Sequence, residues 1–408
     1  MNLLDRFLTY VKIDTQSDPN VETCPSTLKQ KNLGNLLVDE LKSIGVTNAY
    51  MDEHGYVYGL IPSNSKKPIT PIGFIAHMDT SPDAPGAGVN PRIIKNYDGG
   101  IIQLNETLSM DPAKFTALRH VVGQDLVVTD GHTLLGADDK AGVAEIMTMA
   151  EIMALHPFEH GDIYIGFTPD EEIGRGADLF DLNFFKAKFA YTADGSLIGG
   201  IEYENFNAAS AKVVFVGKSI HPGASKHKMI NAQHLAFEFH SLLPIFDNPA
   251  YTEGYEGFNH LSNMEGSVEE AKLGYIIRNH DMVKFNKQKE DFKRVVRYMN
   301  EKYGYEAVSL TITDSYFNML EVLKHDMSPV ELAKQAIENV GLIPHSEAIR
   351  GGTDGARLTF MGLPCPNLGT GGFNFHGRFE FASIQQMEQA VDVMVEIIKL
   401  IPKGQSDN

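Results

Sequence analysis

The stretch Ile72-Gly73-Phe74-Ile75-Ala76-His77-Met78-Asp79 sets the reading of the fold. Its first five residues form a short, continuous apolar run, as a strand covered on both faces does, and the run ends on side chains that bind protons and cations. The same order of strand, ligand-type residue and loop returns three times. It appears at Val127-Val128 before Asp138, at Ile163 to Phe167 before Asp170-Glu171-Glu172, and at Phe189 to Thr192 before Asp194. Between them, Lys140 to His156 repeats Val143, Ile146, Met147 and Met149 at roughly helical spacing. Polar groups at the ends of several strands, with helices between, describe an α/β domain: a central sheet flanked by helices with one site along its edge.

Outward from this core, the N-terminal residues 1–14 read as an amphipathic helix, and Pro25-Ser26-Thr27 opens a second helix that stops at Gly45. After Asn205 the pattern changes. Strand-like Ala208 to Val216, an amphipathic helix from Met229 to Leu243, two strand-like runs within Gly266 to Arg278, a charged helix from Asp281 to Tyr303 and strand-like Ala307 to Thr313 follow in turn. The order β-α-β-β-α-β is the ferredoxin-like unit, which predicts an inserted α+β domain over 207–318 between two parts of the first domain, 1–206 and 319–408. The first pattern then resumes. Ser328-Pro329-Val330-Glu331 has capping-box spacing, the glycine-rich segments Arg350 to Gly355 and Gly369 to Gly372 flank two strand-like runs, and a last helix from Ser383 carries Met387, Val391, Met394 and Ile398 on one stripe.

Composition bounds the partners. The 408 residues are enough for two or more domains, and 35 basic against 53 acidic side chains give a formal net charge of -18. That charge repels phosphate backbones and anionic lipid, so nucleic acid and membranes are excluded as partners and small molecules or peptides are left. Two cysteines, Cys24 and Cys365, give no disulfide framework and fit a reducing compartment. With no signal-peptide pattern at the N-terminus and no apolar run of bilayer length, a cytoplasmic protein is expected.

Each polar motif has a plain reading on its own. Asp138 suits a helix N-cap, His77 and Asp79 a surface pair, Asp170-Glu171-Glu172 a solvated acidic turn, and His376 a loop histidine. Taken together they suggest more. His77, Asp138, Glu172, Asp194 and His376 supply one terminal histidine and one terminal carboxylate for each of two metals, with Asp138 shared. Mixed nitrogen and oxygen donors suit zinc, with cobalt or manganese as substitutes, and one carboxylate spans the 3.5 to 4 Å or so of a two-metal site. Adjacent Glu171 and Glu172 leave the backbone in different directions, so one can ligate while the other faces a bound water as general base.

These residues carry a resemblance. His77-Met78-Asp79, Gly136-Ala137-Asp138-Asp139-Lys140, Asp170-Glu171-Glu172 and the spacing from His376 to Glu380 resemble the co-catalytic zinc metallopeptidases of the M20 family. The likeness extends along nearly the whole chain towards that family's aminotripeptidases, most specifically at Thr133 to Gly142, Glu204 to Ser210, Arg350 to Ala356 and Gly371 to His376. It implies a zinc-peptidase-like catalytic domain with a mixed sheet and an inserted lid, binding two zinc ions per subunit and removing the N-terminal residue of tripeptides. By carry-over, His77, Asp138 and Asp194 hold one zinc and Asp138, Glu172 and His376 the other, with Glu171 as general base and Asp79 orienting His77. The resemblance also assigns His221 to the oxyanion, in some members from a partner subunit, which allows a homodimer. Arg278 and Arg350 are candidates to clamp the substrate carboxylate. One departure is Asn279, where an acidic residue is expected after Arg278. A dipeptidase, a carboxypeptidase, an N-acyl amino acid deacylase or a metal-dependent peptide-binding protein would use the same scaffold.

Overall fold

The computed structural model describes residues 1–404. The chain divides into two compact units. The first comprises Met1–Tyr203, Val322–Glu347 and the chain from Thr353 onward, and the second Glu204–Glu321 and Ala348–Gly352.

The first unit is built on a seven-stranded mixed sheet. Its spatial order is Tyr50–Met51, Val57–Ile61, Ile163–Thr168, Ile72–His77, Phe189–Gly195, Asn367–Gly369 and Ile201–Glu202. The four strands from Ile163–Thr168 to Asn367–Gly369 run parallel, and the flanking ones pair antiparallel. All six residues of Ile72–His77 are buried, as a strand covered on both faces requires. Helix Ala137–Leu155 packs on one face, and the stripe Met387, Val391, Met394 and Ile398 of the last helix is buried in the same core. Because the central strands share a direction, their C-terminal ends open on one edge; His77 and Asp194 lie at those ends, and Glu171 and Glu172 just beyond one.

Three local expectations change. Leu126–Val128 does not join the central sheet but lies inside a second sheet, ordered Gly372–Phe373, Phe381–Ser383, Leu126–Val128 and Arg92–Ile94. The second helix begins at Gln30. Ser26 is held instead by the buried Asp170, which accepts its N–H at 2.7 Å and its hydroxyl at 2.5 Å. Between the glycine-rich segments Asp354–Phe360 is a helix, capped by Thr353, whose hydroxyl accepts the Ala356 N–H, so only one strand, Asn367–Gly369, remains there.

The second unit is a four-stranded antiparallel sheet, ordered Phe258–Gly266, Glu270–Asn279, Asn207–Val216 and Val308–Tyr316. Helices Ala232–Leu242 and Met282–Tyr303 complete the β-α-β-β-α-β order. Alternation decides which face is covered: Ala271, Leu273, Tyr275 and Ile277 are buried against Phe239 and Phe292 from the helices, while the residues between them stay partly exposed. Among the described residues, no helix is long and apolar enough to cross a membrane.

Candidate metal centre

Five nitrogen- and oxygen-bearing side chains converge at the sheet edge of the first unit. Nε2 of His77, 2% exposed, is 2.8 Å from Asp138 Oδ1 and 3.6 Å from Asp194 Oδ1. Nε2 of His376 is 3.2 Å from Asp138 Oδ2 and 2.9 Å from Glu172 Oε2. Each oxygen of Asp138 thus faces a different histidine, the disposition of a carboxylate that could bridge two cations. Donor atoms about 2.0–2.1 Å from a tetrahedral ion lie roughly 3.3 Å apart, and the four separations fall on either side of that value. Glu172 Oε1 is buried without a hydrogen-bond partner, an acceptor for which a cation would account. A divalent pair therefore fits the donors present.

The charges show the same strain. Burial opposes the charged ring of His77, but Asp138, Asp194 and Asp79 outweigh it and hold the pKa well above the ordinary value. Asp138 and Glu172 push His376 up to about 11. Burial, then the Asp138 charge, lifts Glu172 to about 8, and burial raises Glu171 well above the usual range. So many carboxylates kept from water favour protons or metal ions as counter-charge.

The supporting residues fix these positions. Asp79, fully buried, accepts the N–H groups of Glu171 at 2.9 Å and Glu172 at 3.2 Å; its carbonyl oxygen is 3.1 Å and its Oδ1 3.4 Å from His77 Nδ1. It thus touches both a histidine and the backbone of the glutamate pair. Glu171 Oε2 lies 4.0 Å from His77 Nε2, at the margin of the cluster, where a base can face what the donors hold. Asp138 caps no N–H group of its helix, and Asp138 and Asp139 have non-helical backbone angles. Capping falls to Asp139, whose Oδ1 accepts the Gly142 N–H at 3.3 Å while its Oδ2 accepts that of His77 at 3.1 Å. Gly142 packs so tightly that a Cβ there would stand 1.9 Å from the Ala193 carbonyl oxygen.

Glu380 has a larger role than its spacing to His376 suggests. It is 1% exposed and accepts the N–H groups of Leu135, Gly136 and Asp138 at 2.7, 2.8 and 2.9 Å. The one sequence signal for it is its place four residues after His376. Asp354, to which the sequence assigns no role, accepts the Thr168 hydroxyl at 2.7 Å below the Glu171 turn.

His221, Arg278 and Arg350 belong to the second unit. His221 is exposed, and its Nδ1 accepts the Gly223 N–H, which leaves Nε2 as the proton-bearing nitrogen. Arg278 donates to the carbonyls of Ala209 and Ile277 and lies over Tyr316. Arg350 is more heavily engaged: it donates to the carbonyls of Gly254, Glu256 and Thr252 and stacks on Phe206 and Phe258. Asn279 donates to Gln288 inside the same unit.

A parallel sheet edge carrying histidines and carboxylates at cation-binding separations has the layout of a metal-dependent hydrolase. The chain is 52% identical over 400 residues to peptidase T of Bacillus subtilis (strain 168), covering 97% of this chain and 98% of that protein. It is 53% identical over 397 residues to peptidase T of Clostridium perfringens (strain 13 / Type A), covering 97% and 98%. Residues 203–305 match the peptidase dimerisation domain of the M20 peptidases. In fold it is similar to the aminopeptidase PepT of Bacillus cereus, with a TM-score of 0.78, 22% identity and 98% of both chains covered. It is also similar to a dinuclear metal-binding M20 peptidase of Bacillus subtilis, with a TM-score of 0.68, 14% identity, and 98% of this chain and 97% of that one covered. The chain belongs to the peptidase T family of M20 peptidases and is a metal-dependent peptidase.

Proposed function

We propose that this peptidase is a two-zinc aminotripeptidase that releases the N-terminal residue of a tripeptide. The observation that supports the two-metal reading is Asp138, with one oxygen towards His77 and the other towards His376. In this reading His77, Asp138 and Asp194 hold one ion, and Asp138, Glu172 and His376 the other. Nitrogen and oxygen donors favour zinc, with cobalt or manganese as substitutes. Such a pair of cations supplies Lewis acidity, polarising a carbonyl and lowering the pKa of a bound water from about 15.7 towards roughly 7.

The protein's own part is positioning and proton transfer. Glu171, with its pKa raised by burial, takes a proton from the attacking water and delivers it to the leaving amine. Asp79 holds Glu171 and His77 in place for that exchange. His221, of this chain or of a partner subunit, is the candidate donor to the oxyanion, and Arg278, less occupied than Arg350, the candidate for the substrate carboxylate. The tripeptide preference is supported by a tripeptidase of Staphylococcus aureus, similar in fold with a TM-score of 0.79 at 22% identity over 98% of both chains. The domain match at residues 203–305 supports a homodimer, and two free cysteines support a cytoplasmic location.

The decisive measurement is metal content per chain together with the products from Leu-Gly-Gly. Two metals, with leucine and Gly-Gly as products, are expected. Release of the C-terminal glycine, cleavage that demands an acetylated amino group, or an uncleaved peptide at saturating zinc would each replace this reading with a carboxypeptidase, a deacylase or a binding protein. Light scattering on the eluting protein should give twice the 45.1 kDa chain mass.

A further inference from the structure

An aminopeptidase has to recognise a free α-ammonium, and that calls for a carboxylate beside the scissile bond that is not already consumed. Most acids around the cluster are committed. Asp79, Asp139 and Glu380 accept backbone N–H groups, Asp354 accepts the Thr168 hydroxyl, and Asp170 accepts from Ser26 and Gln30. Glu145 has no partner but is completely buried inside the first unit.

Glu202 differs. Its Oε2 accepts a long hydrogen bond, 3.4 Å, from Asn367 Nδ2, and it lines a cavity of about 240 Å³ together with Ser196, Phe373, His120, His345 and Glu347. Two of its lining residues are near neighbours in the chain of metal-centre residues: Ser196 follows Asp194 by two residues, and Phe373 precedes His376 by three. Register fixes the direction of Glu202. It pairs with Asn367, and Asn367 with Thr192, whose hydroxyl touches the Asn367 side chain. Glu202, Asn367 and Thr192 therefore share a sheet face, which puts Glu202 two strands, or about 10 Å, from the strand that carries Asp194, two residues beyond Thr192 across a register shift. One substrate residue of about 3.5 Å, flanked by two inward-reaching carboxylate side chains, spans that gap. Asp194 is near enough to add to burial in raising the Glu202 pKa to about 8.

We infer that Glu202, with Glu347 across the same cavity, forms the subsite for a cationic nitrogen of the substrate: the α-ammonium of the first residue or a basic side chain on it. The inference rests on the peptidase reading above and adds the group that selects a free amino terminus. His120 and His345 line the same cavity and bring ring nitrogens to it. Glu202 acts here by binding the substrate, not by transferring a proton.

The test is calorimetric binding to zinc-loaded protein in a Glu171→Ala background, so that peptide is not consumed. The probes are Leu-Gly-Gly, its des-amino analogue 4-methylpentanoyl-Gly-Gly, and Lys-Gly-Gly. Adding Glu202→Gln should weaken Leu-Gly-Gly about tenfold or more, as loss of a charged hydrogen bond does, and should change the des-amino analogue less than about twofold. A loss confined to Lys-Gly-Gly would assign the subsite to the side chain. Equal losses with and without the amine, or none, would overturn the inference. Glu202→Asp, a milder change, should keep part of the preference for the amine, and if Glu202→Gln fails to fold it carries the comparison. Amine-dependent binding by a wild-type protein that leaves Leu-Gly-Gly uncleaved would sink the peptidase reading and keep the subsite.

Discussion

The two halves of the proposed metal centre are built differently. His77 and Asp194 sit on parallel strands of the central sheet, and the His77 side chain is 2% exposed. His376 comes from a loop after the two-residue strand Gly372–Phe373 of the second sheet, has a positive φ of 63°, and its side chain is 45% exposed. One half is set by strand geometry and the other by a loop, with Asp138 between them. The difference suggests that the strand half should hold its ion tightly and the loop half should exchange it, although both have the same mix of donors.

The largest effect should come from the residue that belongs to neither half. Glu171→Ala should lower kcat by about 10³-fold or more while two metals stay bound, as loss of a general base predicts; residual turnover near wild type would remove Glu171 from that role. Next, His376→Ala should leave about one metal per chain by elemental analysis, and His77→Ala should lose more than one because the bridging carboxylate then lacks its buried neighbour. Equal stoichiometries would erase the distinction between the halves.

Glu380→Gln sharpens the comparison further. The amide keeps the shape but replaces one acceptor oxygen with a donor facing backbone N–H groups, which should loosen the loop to Asp138. Metal affinity or kcat should fall about 10- to 100-fold, the range for groups that orient ligands. Timed chelation of the wild type should show two phases, the faster matching the half lost in His376→Ala. The smallest effect lies away from the centre: Ser26→Ala removes a hydroxyl from buried Asp170 and should destabilise the protein by about 1–3 kcal/mol, read from denaturant unfolding, without changing metal content.

Much of the strand half was legible because its signal is local. A short apolar run ending in His77, another ending before Glu171 and Glu172, and a third ending before Asp194 each state a strand and a donor within ten residues. The β-α-β-β-α-β order of the second unit was legible for a similar reason, since alternation and helical periodicity survive in a linear reading. The loop half was harder. Val127-Val128 precedes Asp138 just as the other runs precede their donors, yet it pairs with Phe381–Ser383 in a separate sheet, and periodicity does not name a strand's partner. The spacing to His376 named Glu380 but not its role, and Asp354 went without one, because their partners are backbone N–H and hydroxyl groups far along the chain, at Leu135 and Thr168. Nor could linear order tell that Arg350 spends its donors on the carbonyls at 252, 254 and 256.

At Gly142 the helix Ala137–Leu155, whose first turn carries Asp138, lies directly against the carbonyl of Ala193, the residue before Asp194. The gap between those two acids is therefore gauged by a hydrogen atom. Donors could be exchanged for other donors while this contact survives, but a single methyl group at position 142 would wedge them apart. A designer wishing to widen the centre for a larger ion would find there one place where the smallest change in composition gives the greatest change in bore.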